Sequence, residues 1–468
     1  MSDIICQSNY YDFLKTKEFN FEPCGFEPVD INKNAFEWQK QIIAWHCKKG
    51  KSAAFLDTGL GKTMIQLEFA NQVCKKTNGN VLILAPLAVS AQTVREGKKF
   101  GVDVNICRTQ ENVKKGINIT NYEMLEHFDC KSFIGVVLDE SSILKDSTGK
   151  QRKMIIDSFK NTKYKLACTA TPAPNDFMEL GNHAEFLGVM SQVEMLATFF
   201  VHDGGNTSKW RLKGHAKSKF WEWISTWAVV MTNPRDLGFE QDGYDLPPMK
   251  IKEVVVKSDD MHTADGQGLF LPQVTQTLAE RRNARKATLE KRVKAAADIV
   301  NSLDEPCLVW CDLNSESELL TKSIMSAVEV KGSDTDEHKT KSMLDFSENK
   351  IKCLVTKPKI AGKGMNWQNC HNMIFVGLSD SFESYYQAIR RCYRFGQTQQ
   401  VNVWIVVSDG EGAVKQNLER KQADAMRMTA EMVKYTKNIL TDEINQTARI
   451  TENYYAFDEM KKPKWLGA

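Results

Sequence analysis

Short apolar runs punctuate the chain, each followed by a turn and then by apolar positions recurring at helical spacing. In the first half these runs are Ala53–Leu56, Val81–Ala85, Ile134–Leu138 and Lys165–Cys168. In the second half they are Cys307–Cys311, Cys353–Thr356, Met373–Val376 and Val403–Val407. Continuous runs of this length, rich in Val, Ile and Leu, predict strands buried on both faces. Their alternation with helices predicts parallel sheets. Two such sets predict two α/β lobes, which agrees with a length of 468 residues, more than one ordinary domain needs.

Between the sets the pattern changes. Gly204 to Phe220 holds no acidic residue but has Lys209, Arg211, Lys213, Lys217 and Lys219, and four tryptophans crowd it: Trp210, Trp221, Trp223 and Trp227. A second basic run, Arg281 to Lys294, reads as a helix. The net charge of +3 is too small to announce a nucleic-acid partner, so any basic surface must be local, as in these two runs. Apolar residues at 42% and charged residues at 26% describe an ordinary globular chain. The first thirty residues lack a basic start followed by an apolar core, and no apolar run is long enough to span a membrane. A soluble, unsecreted, cytoplasmic protein with no membrane partner is expected. The twelve cysteines are scattered singly, except for Cys307 and Cys311 inside one strand. A zinc site needs a second such pair, so reduced structural thiols are expected.

The first chemical signal is Leu56-Asp57-Thr58-Gly59-Leu60-Gly61-Lys62-Thr63, set between a strand and the helical pattern Met64–Val73. Phosphate binding needs backbone N–H groups at close range, which glycine permits, and a helix N-terminus adds its dipole. Lys62 would reach the β- and γ-phosphates and the Thr63 hydroxyl would ligate magnesium. Leu56 stands where such loops usually begin with glycine. The second signal is Val136-Val137-Leu138-Asp139-Glu140-Ser141-Ser142, in which a strand delivers two carboxylates to its C-terminal end. Asp139 would hold the magnesium and Glu140 would orient the attacking water. Either motif alone is weak, but together they predict an NTPase.

Further along, residues 36–408 resemble the superfamily-two helicases, and within them the Swi/Snf-like double-stranded DNA translocases, with every motif block in order. Phe36-Glu37-Trp38-Gln39 resembles the segment whose glutamine reads adenine, so Gln39 points to ATP. Asp-Glu-Ser-Ser resembles the Swi/Snf-like form of the acidic motif. Thr169-Ala170-Thr171-Pro172 resembles the Thr-Gly-Thr-Pro that couples hydrolysis to lobe movement. Gln387-Ala388-Ile389-Arg390-Arg391-Cys392-Tyr393-Arg394-Phe395-Gly396-Gln397 is the most specific match. Arg391 and Arg394, three apart, would share a helix face and meet a γ-phosphate held by the other lobe.

The resemblance implies two RecA-like lobes, each a mostly parallel sheet flanked by helices, with a helical protrusion between them. It implies an extension at 1–30, an ATP-binding lobe at 31–240 with a basic, Trp-rich helical insertion near 190–230, and a second lobe at 241–430 with a basic helical region near 275–295. A helical tail at 431–468 completes the division. Lys62, Asp139, Glu140, Arg391 and Arg394 are the implied catalytic set, and Thr63 and Asp139 the metal ligands. Asp57 to Thr63, Gln39 and Gly364 complete the nucleotide site, while Thr169, Thr171 and Gln387 would couple the lobes. Nucleic-acid contacts are implied at Pro86, Ser90, Thr120, Tyr122, Gly332, Ser333, Lys339 and Thr356. The cofactors are ATP and magnesium, and the expected partner is double-stranded DNA, branched or protein-bound. The compact form suggests a bacterial or viral source. Two readings of the Trp-rich segment stay open: contact with the second DNA strand, or packing of the protrusion. A strand-separating DNA or RNA helicase is the alternative function.

Overall fold

The computed structural model describes residues 23–145, 149–203, 206–257, 286–362, 365–379, 381–409 and 412–444. Gly364, Arg281, Arg282, Arg285, most of the extension and the end of the tail lie outside them. Lobe one contains β1 (Lys51–Leu56), β2 (Asn80–Ala85), β3 (Val104–Ile106), β4 (Ile117–Asn121), β5 (Phe133–Asp139) and β6 (Tyr164–Thr169). A hairpin of β7 (Phe200–Asp203) and β8 (Asn206–Leu212) follows, then β9 (Ala228–Met231). Lobe two contains β10 (Met249–Val256), β11 (Cys307–Cys311), β12 (Ala327–Val330), β13 (Cys353–Thr356), β14 (Asn372–Val376) and β15 (Val401–Ser408).

Every strand of both main sheets is parallel to its neighbours. Their orders are β3-β4-β2-β5-β6-β1-β9 and β10-β15-β14-β11-β13-β12. All eight apolar runs lie inside strands, and each alternates between two cores. Ala53 and Phe55 face one side of lobe one while Ala54 and Leu56 face the other. In lobe two, Leu308 and Trp310 face one side while Cys307, Val309 and Cys311 face the other. Strands covered on both faces carry no polar alternation, which is why they read as plain apolar runs.

The segment near 190–230 is not helical throughout, since the antiparallel β7–β8 hairpin sits between helices Gln192–Phe199 and Lys217–Ser225. Trp221, Trp223 and Trp227 are buried there in the lobe-one core. Lys213 donates to the carbonyls of Ala197 and Thr198, and Lys217 pairs with Glu431 at 2.8 Å. In the second basic run, Arg292 is fully buried against Glu316 at 2.7 Å. The tail belongs to a helix that begins earlier, Gly412–Ile444. Ala425 packs on the lobe-two core, whereas Met432 is buried in lobe one and Tyr435 stacks on Trp221. All described cysteines are free thiols. Among the described residues no helix is long and apolar enough to cross a membrane.

Candidate nucleotide site at the lobe interface

The turn after β1 carries Thr58 and Gly59 and leads to helix Lys62–Thr77. Gly59 and Gly61 adopt left-handed φ values of 89° and 67°. A Cβ on Gly61 would stand 2.3 Å from Gln39 Nε2, so the glutamine amide would have to move, and the left-handed backbone itself favours glycine there. β5 ends on Asp139, and Glu140 just after it is left-handed at φ 54°, a strained position for a non-glycine residue.

These two turns face lobe two across a cavity of about 560 Å³. Gln39, Thr58, Gly59, Gly61, Lys62, Thr63, Asp139 and Glu140 line it from lobe one, and Arg391 and Arg394 from lobe two. Burial dominates the charge states inside. Lys62 is held below the usual lysine range by burial, against the opposing pull of Glu140 and Asp57. Asp139 is pushed up to about 6 by burial and by neighbouring Glu140, while a 2.6 Å hydrogen bond from Gln66 works the other way. Arg394 is lowered to about 9 by burial, with Arg391 adding repulsion. Cations and carboxylates so far from water are poised for a highly charged ligand.

The donor set fits a magnesium–nucleotide. Thr63 and Asp139 offer the hard oxygens that magnesium prefers, and both line the cavity. Arg394 Nε is buried without a partner among the described residues, while its Nη1 reaches Asn366. Lys62 Nζ donates to the carbonyls of Leu56 at 3.0 Å and Asp57 at 3.3 Å, near the phosphate loop it would serve.

Several expected residues are engaged differently. Asp57 does not line the cavity: its carboxylate accepts from Tyr386 at 2.6 Å and Arg390 at 2.8 Å across the lobe boundary. Leu60 is buried, and its carbonyl accepts from Gln39 Nε2 at 3.4 Å. Gln39 Oε1 accepts from the Phe36 N–H at 3.0 Å, so both ends of its amide already hold backbone. Arg391 and Arg394 do not share a helix. Helix Phe382–Ile389 stops before them, and the following turns are drawn together by Gln397, which donates to the carbonyls of Gln368, Cys370 and Cys392. Both arginines still face the cavity. Arg391 is buried with its guanidinium on the carbonyls of Gln387 and Met365 and on the Gln387 side chain.

Of the residues expected to couple the lobes, Thr169 donates to Glu140 at 3.5 Å and accepts from the Thr171 N–H at 3.1 Å. The Thr171 hydroxyl and Gln387 Nε2 are buried without partners among the described residues. Gln66 was not foreseen. It sits one turn beyond Thr63, and no motif spacing in the sequence points to it.

A second cavity, of about 870 Å³, adjoins the first and shares Glu140, Gln92, Glu96 and Asn366 with it. Pro86, Ser90, Thr120 and Tyr122 line it from lobe one, and Gly332 and Lys339 from lobe two. The Thr120 hydroxyl is buried without a partner among the described residues, whereas Tyr122 donates to the Asp139 carbonyl at 2.7 Å. Ser333 is exposed outside this lining, and the Thr356 hydroxyl is buried on the Val330 carbonyl at 2.9 Å, so neither side chain faces the cleft.

Two parallel-sheet lobes closing on a phosphate loop, an acidic pair and two arginines define a helicase-type nucleotide hydrolase. Residues 38–200 match the SNF2-related domain and residues 291–396 the helicase conserved C-terminal domain. The chain therefore carries, in order, the two domains found in an Snf2-like helicase. It is 18% identical over 433 residues to the mouse (Mus musculus) DNA annealing helicase and endonuclease ZRANB3, covering 84% of this chain. It spans 40% of that protein's length. Among solved structures it is similar to the Sulfolobus solfataricus SWI2/SNF2 ATPase core in complex with dsDNA, at 18% identity and a TM-score of 0.42. That match covers 91% of this chain and 99% of the other. Mss116p bound to ssRNA and AMP-PNP matches over 82% of this chain and 72% of its own, at 13% identity and a TM-score of 0.54, a likeness of fold.

Proposed function

We propose that the chain hydrolyses ATP with magnesium between its lobes and uses the cycle to move along double-stranded DNA. It would act in replication, recombination, repair or displacement of bound protein, on branched or protein-covered duplexes. The observation that carries the reading is the single cavity where Lys62, Asp139 and Glu140 of one lobe face Arg391 and Arg394 of the other. Lys62 and the loop N–H groups bind the phosphates, while Thr63 and Asp139 hold the ion. Magnesium, when bound, neutralises phosphate charge and aligns the reacting groups. Glu140 orients water, and its tie to Thr169 links that role to the coupling segment. Arg391 and Arg394 stabilise charge that develops away from lobe one. The adjoining cleft, with Ser90 and Lys339 on its walls, offers a hydroxyl and an ammonium group to a phosphate backbone. A relative named as a DNA annealing helicase supports DNA as the polymer.

The test is steady-state ATP hydrolysis with no polymer, duplex DNA, single-stranded DNA or RNA, with Lys62→Ala as the blank. Strong stimulation by duplex alone is expected. Stimulation by single strands or RNA instead would reject duplex tracking and favour strand separation.

A further inference from the structure

One face of helix Phe382–Ile389, continued by the turn after it, carries Glu383, Tyr386 and Arg390. Their spacing sets them in one row, and the row meets lobe one twice. Glu383 accepts from the Ser142 hydroxyl at 2.7 Å and pairs with Lys145, both in the turn that begins directly after Glu140. Tyr386 and Arg390 take the two oxygens of Asp57, which also accepts from the Thr58 N–H at 2.6 Å at the start of the phosphate loop.

We propose that this row is a cross-lobe clamp, and that Glu383, Tyr386 and Arg390 are positioning residues that hold the phosphate loop and the Glu140 turn in register with Arg391. The proposal rests on the ATP-hydrolysis reading above. None of the three lines the nucleotide cavity, so each acts through the loop or turn it grips. Three of the four charges are largely out of water, with Asp57 and Arg390 side chains 15% and 17% exposed and Glu383 9%, while Lys145 is 38% exposed. Charge-assisted bonds are strong in such surroundings, unlike pairs on an open surface.

The polarity is reciprocal. Lobe one gives a carboxylate to a lobe-two cation at one point and a cation to a lobe-two carboxylate at the other. A one-turn slip of the helix in one direction would bring Glu383 toward Asp57. In the other it would take Glu383 off Lys145 and leave that cation without its carboxylate. The first slip sets like charges together and the second breaks an ion pair, so the clamp favours one register. Gln387, next to Tyr386, holds the Arg391 guanidinium, which ties the row to the residue facing the cavity.

Arg390→Gln, Tyr386→Phe, Asp57→Asn and the double variant Asp57→Asn/Arg390→Gln, made in the full chain, test this. Two quantities are read: kcat and KM for ATP, and the small-angle scattering radius of gyration of the protein without nucleotide. Each single change should lower kcat roughly tenfold to a hundredfold while KM stays within about twofold. The double variant should be no worse than the weaker single. The radius of gyration should rise in Arg390→Gln and in the double variant. An unchanged radius, a kcat within about twofold of wild type, or losses that multiply in the double variant would overturn the clamp. Tyr386→Phe removes one oxygen, so it keeps the test decisive if a bolder variant misfolds. Failure of the wild-type chain to hydrolyse ATP sinks the ATPase reading instead, and the scattering comparison still judges the clamp.

Discussion

The two cavities at the lobe interface treat charge in opposite ways. In the smaller one, burial reshapes the ionisable groups: Lys62 and Arg394 are driven down and Asp139 up. In the larger one, Arg95, Arg108 and Lys359 stand exposed, and Lys339 keeps its ammonium on the Gly332 carbonyl at 2.9 Å. The difference matches the demands of each place. Charge stabilisation during a reaction gains from fixed, desolvated groups that need no reorganisation. A track that must release and regrip a polymer gains from solvated groups that exchange partners readily. Glu140 belongs to both cavities, so the water-orienting carboxylate lies where the two regimes meet.

Three changes would break or sharpen this contrast. The largest effect is expected at Arg394→Ala, which removes a desolvated cation: kcat should fall by about 10³–10⁵. Binding of a fluorescent ATP analogue should weaken far less, and an equal loss in both would assign Arg394 to ground-state binding. Lys339→Ala probes the larger cavity. Duplex affinity at low salt should fall roughly tenfold and the slope of log affinity against log salt should lessen by about 1, with hydrolysis at saturating DNA nearly unchanged. An unaltered slope would remove Lys339 from the track.

The smallest effect isolates burial itself. Lys165 lies in the lobe-one core, 1% exposed, donating to the Phe186 carbonyl at 2.7 Å, and burial with help from Lys51 lowers it to about 7. Between that value and its ordinary one the unfolded chain binds a proton that the folded chain does not, so stability rises with pH across this window. By pH 8 the gain should be about 1 kcal/mol, read by denaturant unfolding, and Lys165→Met should abolish it. The same slope in Lys165→Met would mean that another group carries it.

How much could be read beforehand followed the range of each interaction. The eight strand runs were legible because both faces of each sheet are covered. The phosphate loop was legible because a strand, two left-handed glycines and a helix start are adjacent in the chain. Contacts that join distant segments left no local trace: Asp57 with Tyr386 and Arg390, Glu383 with Ser142, Asp139 with Gln66. The expectation that Arg391 and Arg394 share a helix failed because the helix ends at Ile389 and the two arginines sit on the turns after it, which Gln397 ties to the carbonyls of Gln368, Cys370 and Cys392. Hydroxyl direction was equally hidden. Thr356 closes its strand as expected, yet its hydroxyl bonds inward to the Val330 carbonyl, and Tyr122 turns its oxygen to the Asp139 backbone. Trp221, Trp223 and Trp227 are buried, and Lys213 and Lys217 are spent on lobe-one carbonyls and on Glu431.

The helix Gly412–Ile444 is a rod about 50 Å long, by its 33 residues and the rise of an α-helix. It is seated on one lobe by Ala425 and socketed in the other by Met432. A rod held by both lobes at points about two turns apart near its middle turns any parting of the lobes into bending or sliding. The length of a stroke is then bounded by how far that rod shifts before Met432 leaves its socket.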